Sequence, residues 1–405
     1  MSINTVQSVC ILGRQPMLGL AELESLYGTE SVTPIRYGVA GINLHASEID
    51  FSRLGGSTRA AHVLATVPST DWKTLERKLP ELIIELALTL PDGKIQLGLS
   101  AFGLKTSPAR LNAAGLTLKK ILRDRLNRSV RITPNPELEL NTAQVLHNHL
   151  IGPTGIELLF IATSDGRTII ARTHRVQDID SYTLRDRGRP KRDARVGMLP
   201  PKLAQIIINL ANPTPSGVVL DPFCGTGVLL QEALLMDFSV YGTDIDQRMI
   251  DYSQANIEWL KSQAESVRNN LDLHKSRSAV FERQDATQFE TSSPIDAVAC
   301  ETYLGRPFTA KPSPEMLAQT ISEVNLILKK FLQNIHGQLT PNTPLCLAVP
   351  AWQTNTNQFK HLPLIDQISD LGYNRVKFEH VRDSQLLYYR EDQIVARELL
   401  ALIRK

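Results

Sequence analysis

The stretch Gly217-Val218-Val219-Leu220-Asp221-Pro222-Phe223-Cys224-Gly225-Thr226-Gly227 runs from a short apolar segment through an acid into a glycine-containing turn. The next residues, Val228–Met236 (VLLQEALLM), read as a helix. An apolar strand that ends in an acid and feeds a helix through a glycine turn is a unit of a doubly wound α/β sheet. Ligands of such sheets bind outside the carboxyl ends of the strands, where the strand order reverses. The glycines let the backbone approach a ligand, and the helix N-terminus favours anionic or polar groups such as a carboxylate.

The same alternation continues on both sides of this stretch. Pro200–Ala211 (PPKLAQIIINLA) reads as a helix with prolines at its start, where a missing N–H costs nothing. Asn212–Gly217 is a turn cluster. Ser239–Asp244 is a second strand ending in an acid, and Asp246 caps a helix reaching about Lys261. Ala279–Arg283 is a third strand, followed by Asp285; Ile295–Cys300 is a fourth, followed by Glu301. Met316–Phe331 is an amphipathic helix and Pro344–Pro350 a buried strand. Arg375–His380 and Gln393–Ile403 add a terminal antiparallel hairpin. The pattern predicts a Rossmann-like α/β domain from residue 198 to 405.

The glycine turn lacks the third glycine of a dinucleotide fingerprint and the Gly-Lys-Ser/Thr of a P-loop. Three strand-end acids remain. Asp221, Gly225 and Gly227, with Phe223 between them, suit an amino-acid-like end. Asp244 can accept hydrogen bonds from both ribose hydroxyls, and Asp285 from an adenine amine. Together they outline S-adenosylmethionine as the cofactor.

The first 200 residues read as mixed α/β without an internal repeat. Pro108–Arg125 is helix-like, with Leu111, Ala114, Leu118 and Leu122 at helical spacing; Val130–Thr133, Glu157–Ile161 and Thr168–Ala171 look like strands. A break near residue 60 and a polar connector into the last domain complete the expected organisation.

The chain has 405 residues, 42% hydrophobic and 21% charged, a globular composition that excludes wholesale disorder and a collagen-like fibre. No apolar run approaches the roughly 20 residues needed to span a bilayer, and the first residues do not resemble a secretory signal, so a cytoplasmic location is expected. Cys10, Cys224, Cys300 and Cys346 are scattered, which suggests buried free thiols and no metal site. The net charge of +2 conceals a gradient. Residues 1–100 carry 8 basic and 10 acidic side chains, residues 101–200 carry 17 and 9, and residues 201–405 carry 19 and 23. The segment nets of −2, +8 and −4 are the pattern of a polyanion-binding module joined to something else. Lys119, Lys120, Arg123 and Arg128, then Arg185, Arg187, Arg189, Lys191 and Arg192, are the candidate RNA-binding residues.

VVLDPFCGTG, the later YGTDID and the preceding RPKRDARVGMLPPKLAQIIINLA resemble the THUMP-domain-containing tRNA guanosine-N2-methyltransferases, within that group most closely the enzymes acting on the guanosine at position 10. The resemblance covers about residues 60–405. It extends to ELNTAQVLHNHL, to Arg172–Asp180 and to LLYYREDQIVARELLALIRK. It implies a ferredoxin-like module (1–60), a THUMP-like RNA-binding domain (61–172), a basic connector (173–197) and a Rossmann-like class I methyltransferase domain (198–405). It also implies tRNA as partner and a donor-closing role for Met198 and Pro200–Lys202. No activator subunit is required by the sequence, and a monomer or weak dimer is expected.

The family's fourth motif, Asp-Pro-Pro-Tyr-Gly-Arg, is altered here to Glu301-Thr302-Tyr303-Leu304-Gly305-Arg306. Aligning Gly305-Arg306 puts Glu301 on the family's aspartate, as acceptor for the guanine amine, whereas aligning Tyr303 with the family's tyrosine would put Cys300 there; the first register is preferred because it places a carboxylate at the strand end, with Tyr303 to supply the aromatic stack. The alternatives are a tRNA-binding protein that lost catalysis, or an amino-methyltransferase acting on another guanosine or on DNA.

Overall fold

The computed structural model describes residues 5–193, 199–263, 277–308, 310–355, 358–391 and 393–405. The chain forms two compact units. One comprises Met1–Pro16, Tyr27–Ser52 and Ser57–Ile179; the other comprises Met17–Leu26, Arg53–Gly56 and Asp180–Lys405.

The first unit is built on eight strands: β1 (Ser8–Leu12), β2 (Val32–Arg36), β3 (Val39–Ile42), β4 (Ser57–Val67), β5 (Ile95–Phe102), β6 (Val130–Ile132), β7 (Gly155–Ala162) and β8 (Thr168–Val176). Their order is β2-β3-β1-β4-β8-β7-β5-β6. Residue 60, where a module break was expected, lies inside β4. Ala60 faces Cys10 of β1 on one side and Arg175 of β8 on the other. A strand bonded on both flanks carries the sheet straight through that position, so the break is corrected. The sheet also claims residues 173–176 of the expected connector, as the closing pairs of β8 with β4. Helix α1 (Pro16–Tyr27) belongs, all but its two end residues, to the second unit; the helices of the first are α2 (Trp72–Glu76), α3 (Leu79–Leu88), α4 (Pro108–Leu126) and α5 (Thr142–His147). In α4 the residues Leu111, Ala114, Leu118 and Leu122 are buried with Leu97, Leu99 and Phe160 of the sheet. That apolar stripe leaves Lys119, Lys120 and Arg123 exposed on the other side.

The second unit holds β9 (Val218–Asp221), β10 (Ser239–Asp244), β11 (Ala279–Arg283), β12 (Ala297–Glu301), β13 (Pro344–Asn355), β14 (Gln358–Lys360), β15 (Tyr373–Arg375), β16 (Leu387–Tyr388) and β17 (Val395–Arg404). The main order is β11-β10-β9-β12-β13-β17-β15. The first five of these pair in parallel, and β17 enters antiparallel between β13 and β15. This is the expected Rossmann-like sheet with an antiparallel end. The chain moves outward from β9 to β10 and β11 and returns to the other side of β9 as β12, which puts the switch point at the carboxyl ends of β9 and β12.

Its helices include α6 (Ile179–Thr183), whose first residue belongs to the other unit, then α7 (Pro201–Ala211), α8 (Val228–Leu235), α9 (Gln247–Ser262) and α10 (Pro314–His336). The face of α10 bearing Val324, Leu328, Phe331, Leu332 and Ile335 is buried in one cluster with Val298, Leu345, Leu347, Leu400 and Leu402. Each such side chain contributes roughly 1.5–3 kcal/mol by leaving water. The first hairpin strand ends at Arg375, not at His380 as expected. The amides of Glu379 and His380 donate instead to the two carboxylate oxygens of Glu24, at 2.6 and 3.2 Å, and so leave the ladder.

All four cysteines are buried and free. No helix among the described residues is long and apolar enough to cross a membrane.

Candidate active site at the carboxyl edge of the second sheet

The turn after β9 folds as the sequence requires. Gly225 and Gly227 have φ of +50° and +77°, a region that excludes most side chains. A Cβ on Gly227 would lie 2.8 Å from Ser253 Oγ. Gly227 caps α8, and its amide donates to the Cys224 carbonyl at 2.8 Å. Helix α9 holds this turn in place. Ser253 Oγ donates to the Gly225 carbonyl at 2.8 Å, and Asn256 Nδ2 donates to the Thr226 carbonyl at 2.8 Å.

Asp221 is 3% exposed, and its Oδ1 accepts the Phe223 amide at 3.1 Å. Burial pushes its carboxyl well above the usual range; the Phe223 amide opposes this, and the neighbouring carboxylates of Asp244 and Glu301 reinforce it. Asp244 accepts the Gly225 amide through Oδ2 at 3.0 Å and the Asp246 amide through Oδ1 at 2.9 Å. Burial raises its carboxyl too, against the pull of those amides. Ile245, between two acids, is 64% exposed. Asp285 is half-buried, and its Oδ1 accepts both the amide and the hydroxyl of Thr287 at 2.8 Å, so it also braces a local turn. Phe223 is half-buried and packs on the core with its ring 5.2 Å from that of Phe331, edge to face. Met198 lies outside the described residues.

Glu301 ends β12 with its Oε1 accepting from Arg397 Nε at 2.7 Å. Both side chains are largely enclosed, at 15% and 9% exposure. The following segment is pinned: the Thr302 amide and hydroxyl both donate to the Ala348 carbonyl. Tyr303 is half-buried against the core, its hydroxyl 3.5 Å from Glu323 Oε1. Gly305 has a φ of +88°, and Arg306 approaches Glu323 at 3.8 Å.

The arrangement gathers Asp221, Asp244 and Glu301 at neighbouring strand ends, where the last two raise the cost of ionising Asp221. Such an edge favours a ligand with positive charge and hydroxyl donors, because a cation relieves that mutual repulsion. The sequence pointed to these acids but missed Ser253, Asn256, Ile245 and Arg397. Of these, only Ile245 had a local signal, as the apolar residue inside Asp244-Ile245-Asp246.

The cationic candidates divide into two sets. Lys119, Lys120, Arg123, Arg187, Lys191 and Arg192 are exposed. Lys191 is fixed through its backbone, exchanging hydrogen bonds of 3.0 and 2.9 Å with the Asn256 amide group. Three others are corrected. Arg185 is 7% exposed and ion-paired to Glu232 at 2.7 Å, so its charge is spent internally. Arg189 is 3% exposed, and burial lowers the affinity of its guanidinium for a proton. Arg128 donates to the carbonyls of Ala87, Pro91 and Gly93, tying the end of α3 to the loop after it. Among the described residues no cluster of three or more His, Cys, Asp or Glu side chains could hold a metal ion.

Comparison with known proteins adds to this geometry. Residues 189–334 match the UPF0020 family, an RMKL-like methyltransferase domain. That match takes in the glycine turn, all four strand-end acids and most of α10. The tRNA (guanine(10)-N2)-dimethyltransferase of Methanothermobacter thermautotrophicus is 30% identical over 155 residues, 38% of this chain. The protein of the same name from Methanocaldococcus jannaschii is 29% identical over 143 residues, 35% of this chain. Each alignment spans 39% of the relative's own length. Among solved structures, TrmN from Thermus thermophilus is similar at a TM-score of 0.49 and 15% identity, covering 98% of this chain and 99% of that one.

Proposed function

We propose that this protein is a cytoplasmic, S-adenosylmethionine-dependent tRNA methyltransferase that modifies the exocyclic N2 of guanosine, at position 10. The observation that carries the proposal is the set of carboxylates at the ends of four strands, Asp221, Asp244, Asp285 and Glu301. It lies within the segment matching a methyltransferase domain and supports a donor-binding edge with an acceptor beside it.

The site fits the donor on its own chemistry. Asp221 is a buried carboxylate whose ionisation is opposed by burial and by two neighbouring acids, and a cationic ligand offsets that cost. Asp221 and the glycine turn would hold the amino-acid end, Asp244 the ribose hydroxyls, Asp285 the adenine amine, and Ile245 would present an apolar face to the ring. When bound, S-adenosylmethionine supplies a methyl group activated by the positive charge on its sulfur.

The chain's own residues then have a modest task. A guanine amine is a weak nucleophile because its lone pair is delocalised into the ring. Glu301 accepts an amine hydrogen, which raises electron density on nitrogen and fixes its direction; positioning of this kind supplies much of the rate. Tyr303 offers an aromatic edge beside the acceptor. The exposed cations Lys119, Lys120 and Arg123, in the first unit, would contact tRNA phosphates as part of a THUMP-like RNA-binding region, setting register but not base identity. The protein would act as a monomer or weak dimer.

A second reading, a tRNA-binding protein without catalysis, draws on Tyr303, whose ring is packed on the core and whose hydroxyl lies toward Glu323. One experiment separates the two. The protein is incubated with labelled donor and unmodified tRNA, and again with tRNA in which the guanosine at position 10 is replaced. Label on the first tRNA alone is the expected result. Equal label on both overturns the position, and none on either overturns the activity.

A further inference from the structure

Glu301 and Arg397 are 96 positions apart and on strands that do not pair with each other. Between β12 and β17 runs β13, on which Ala348 lies beside Glu301 and Pro350 beside Arg397. Residues two apart on a strand share a face, so the acid and the guanidinium reach toward each other over the same face of β13. The strands are about 5 Å apart, so the bridge spans about 10 Å. Two long side chains cover that distance only when both extend along the sheet.

The guanidinium is held at a second point, with Nη1 3.4 Å from Gln393 Oε1. It engages only one oxygen of the carboxylate. Among the described residues, no hydrogen bond to Oε2 of Glu301 is seen. A carboxylate fixed through one oxygen and free at the other is oriented and still able to accept.

Charge points the same way. The charges of Asp244 and Glu301 both act on Asp221, so Glu301 shares this edge with two other acids. Arg397 is the cation bonded to Glu301. Glu323, on α10, faces Tyr303 and Arg306 instead.

We propose that Arg397 is a positioning residue for the methyl transfer: through Nε it orients Glu301, presenting Oε2 to the amine of the target base. This rests on Glu301 being the amine acceptor. Arg397 touches neither donor nor base. Its role predicts loss of turnover without loss of binding.

The test uses the full-length protein and the variants Arg397→Met, Arg397→Lys, Glu301→Gln and the double variant Arg397→Met/Glu301→Gln. Arg397→Met should lower kcat by about 10- to 100-fold, in the range positioned acid–base groups supply. The KM for tRNA and the calorimetric Kd for the donor should stay within about threefold, since Arg397 takes no part in binding either. Arg397→Lys should recover part of kcat, because it restores the charge without the planar fork. In the Glu301→Gln background Arg397→Met should cost nothing further, as expected for two residues acting as one unit. A readout that does not need turnover is the carboxyl carbon resonance of 13C-labelled glutamate, assigned by its absence in Glu301→Gln. Its chemical shift, which reports the hydrogen bond that Oε1 accepts, should change in Arg397→Met.

An unchanged kcat in Arg397→Met, or a carboxyl resonance that does not move, overturns the inference. So does a loss of donor and tRNA affinity in proportion to kcat. Full activity in Glu301→Gln would instead refute the acceptor assignment on which the inference rests. A wild-type protein without activity would refute the proposed function, and the resonance would then decide the pairing alone. Arg397→Gln, which removes the charge and keeps a donor, replaces Arg397→Met if that variant does not fold.

Discussion

Asp244 accepts the amide of Gly225 at 3.0 Å, so the acid that ends the second parallel strand also fixes the turn that leaves the first. Under the proposed function, ribose recognition and loop geometry would depend on one side chain. Asp244→Ala should cost about 1–3 kcal/mol of stability, as expected when amides lose a buried acceptor, and at least a tenfold loss in donor affinity. Asp244→Asn, which keeps one accepting oxygen, should fall between. Denaturant unfolding and calorimetry with S-adenosylmethionine check both; a variant that loses affinity at full stability would uncouple the two roles.

Glu22 predicts a pH dependence of stability. Its buried carboxylate accepts from the amides of Gly55 and Gly56 at 2.9 and 2.8 Å and from Asn209 at 2.8 Å. Burial outweighs these donors and raises its pKa from 4.5 to about 7. The folded protein thus binds this proton more tightly than the unfolded chain. The contribution is fully present below about pH 4.5 and is lost as pH rises through 7, an amplitude of about 3 kcal/mol. Glu22→Gln should flatten that slope between pH 5 and 7. It should also lower stability at pH 5, because one of its amide hydrogens faces a backbone donor. Urea unfolding at several pH values measures it.

Arg185 separates structural from RNA-binding arginines. Its removal as Arg185→Met leaves Glu232 buried and uncompensated, which should cost about 3–5 kcal/mol. Arg185→Met/Glu232→Met should recover most of that. Neither change should alter tRNA affinity in protein that is folded. A tRNA affinity that falls while stability holds would return Arg185 to the RNA-binding set.

Lys119 and Lys120 should behave in the opposite way. Lys119→Ala/Lys120→Ala should leave the unfolding midpoint unchanged and weaken tRNA binding. If both touch phosphates, the slope of log K against log salt should shrink by about 2, near one unit for each phosphate no longer neutralised. A weaker affinity with an unaltered slope would mean that these lysines act without releasing counterions.

The strand-end acids were legible because alternating strands and helices fix where strand ends fall, and an acid beside a glycine turn is a local pattern. The bridge from Glu301 to Arg397 was not, since it depends on β17 lying one strand away from β12 after a return from the far edge of the sheet. Arg185 and Arg187 show the same limit at shorter range. They sit two positions apart in one basic run, yet one is buried against Glu232 and the other is exposed. Charge density along a chain does not say which cations have found partners. The break near residue 60 failed for a related reason: β4 belongs to both neighbours at once, and no residue in it marks that.

Met17–Leu26 and Arg53–Gly56 belong to the same compact unit as residues 180–405, and that has a consequence for synthesis. The segment bearing Glu22 and Glu24 is synthesised before its partners. Asn209 follows 187 residues after Glu22, and the Glu379 and His380 amides come later still. At about 5–20 residues per second, Glu22 waits roughly ten to forty seconds for the Asn209 side chain that will hold it. Leu18, Leu20 and Leu23, buried in the finished protein, stay uncovered in the interval. Nascent chains stalled before residue 200 should therefore draw chaperones to this short helix, and a fragment beginning at residue 180 should misfold for want of its own first pieces.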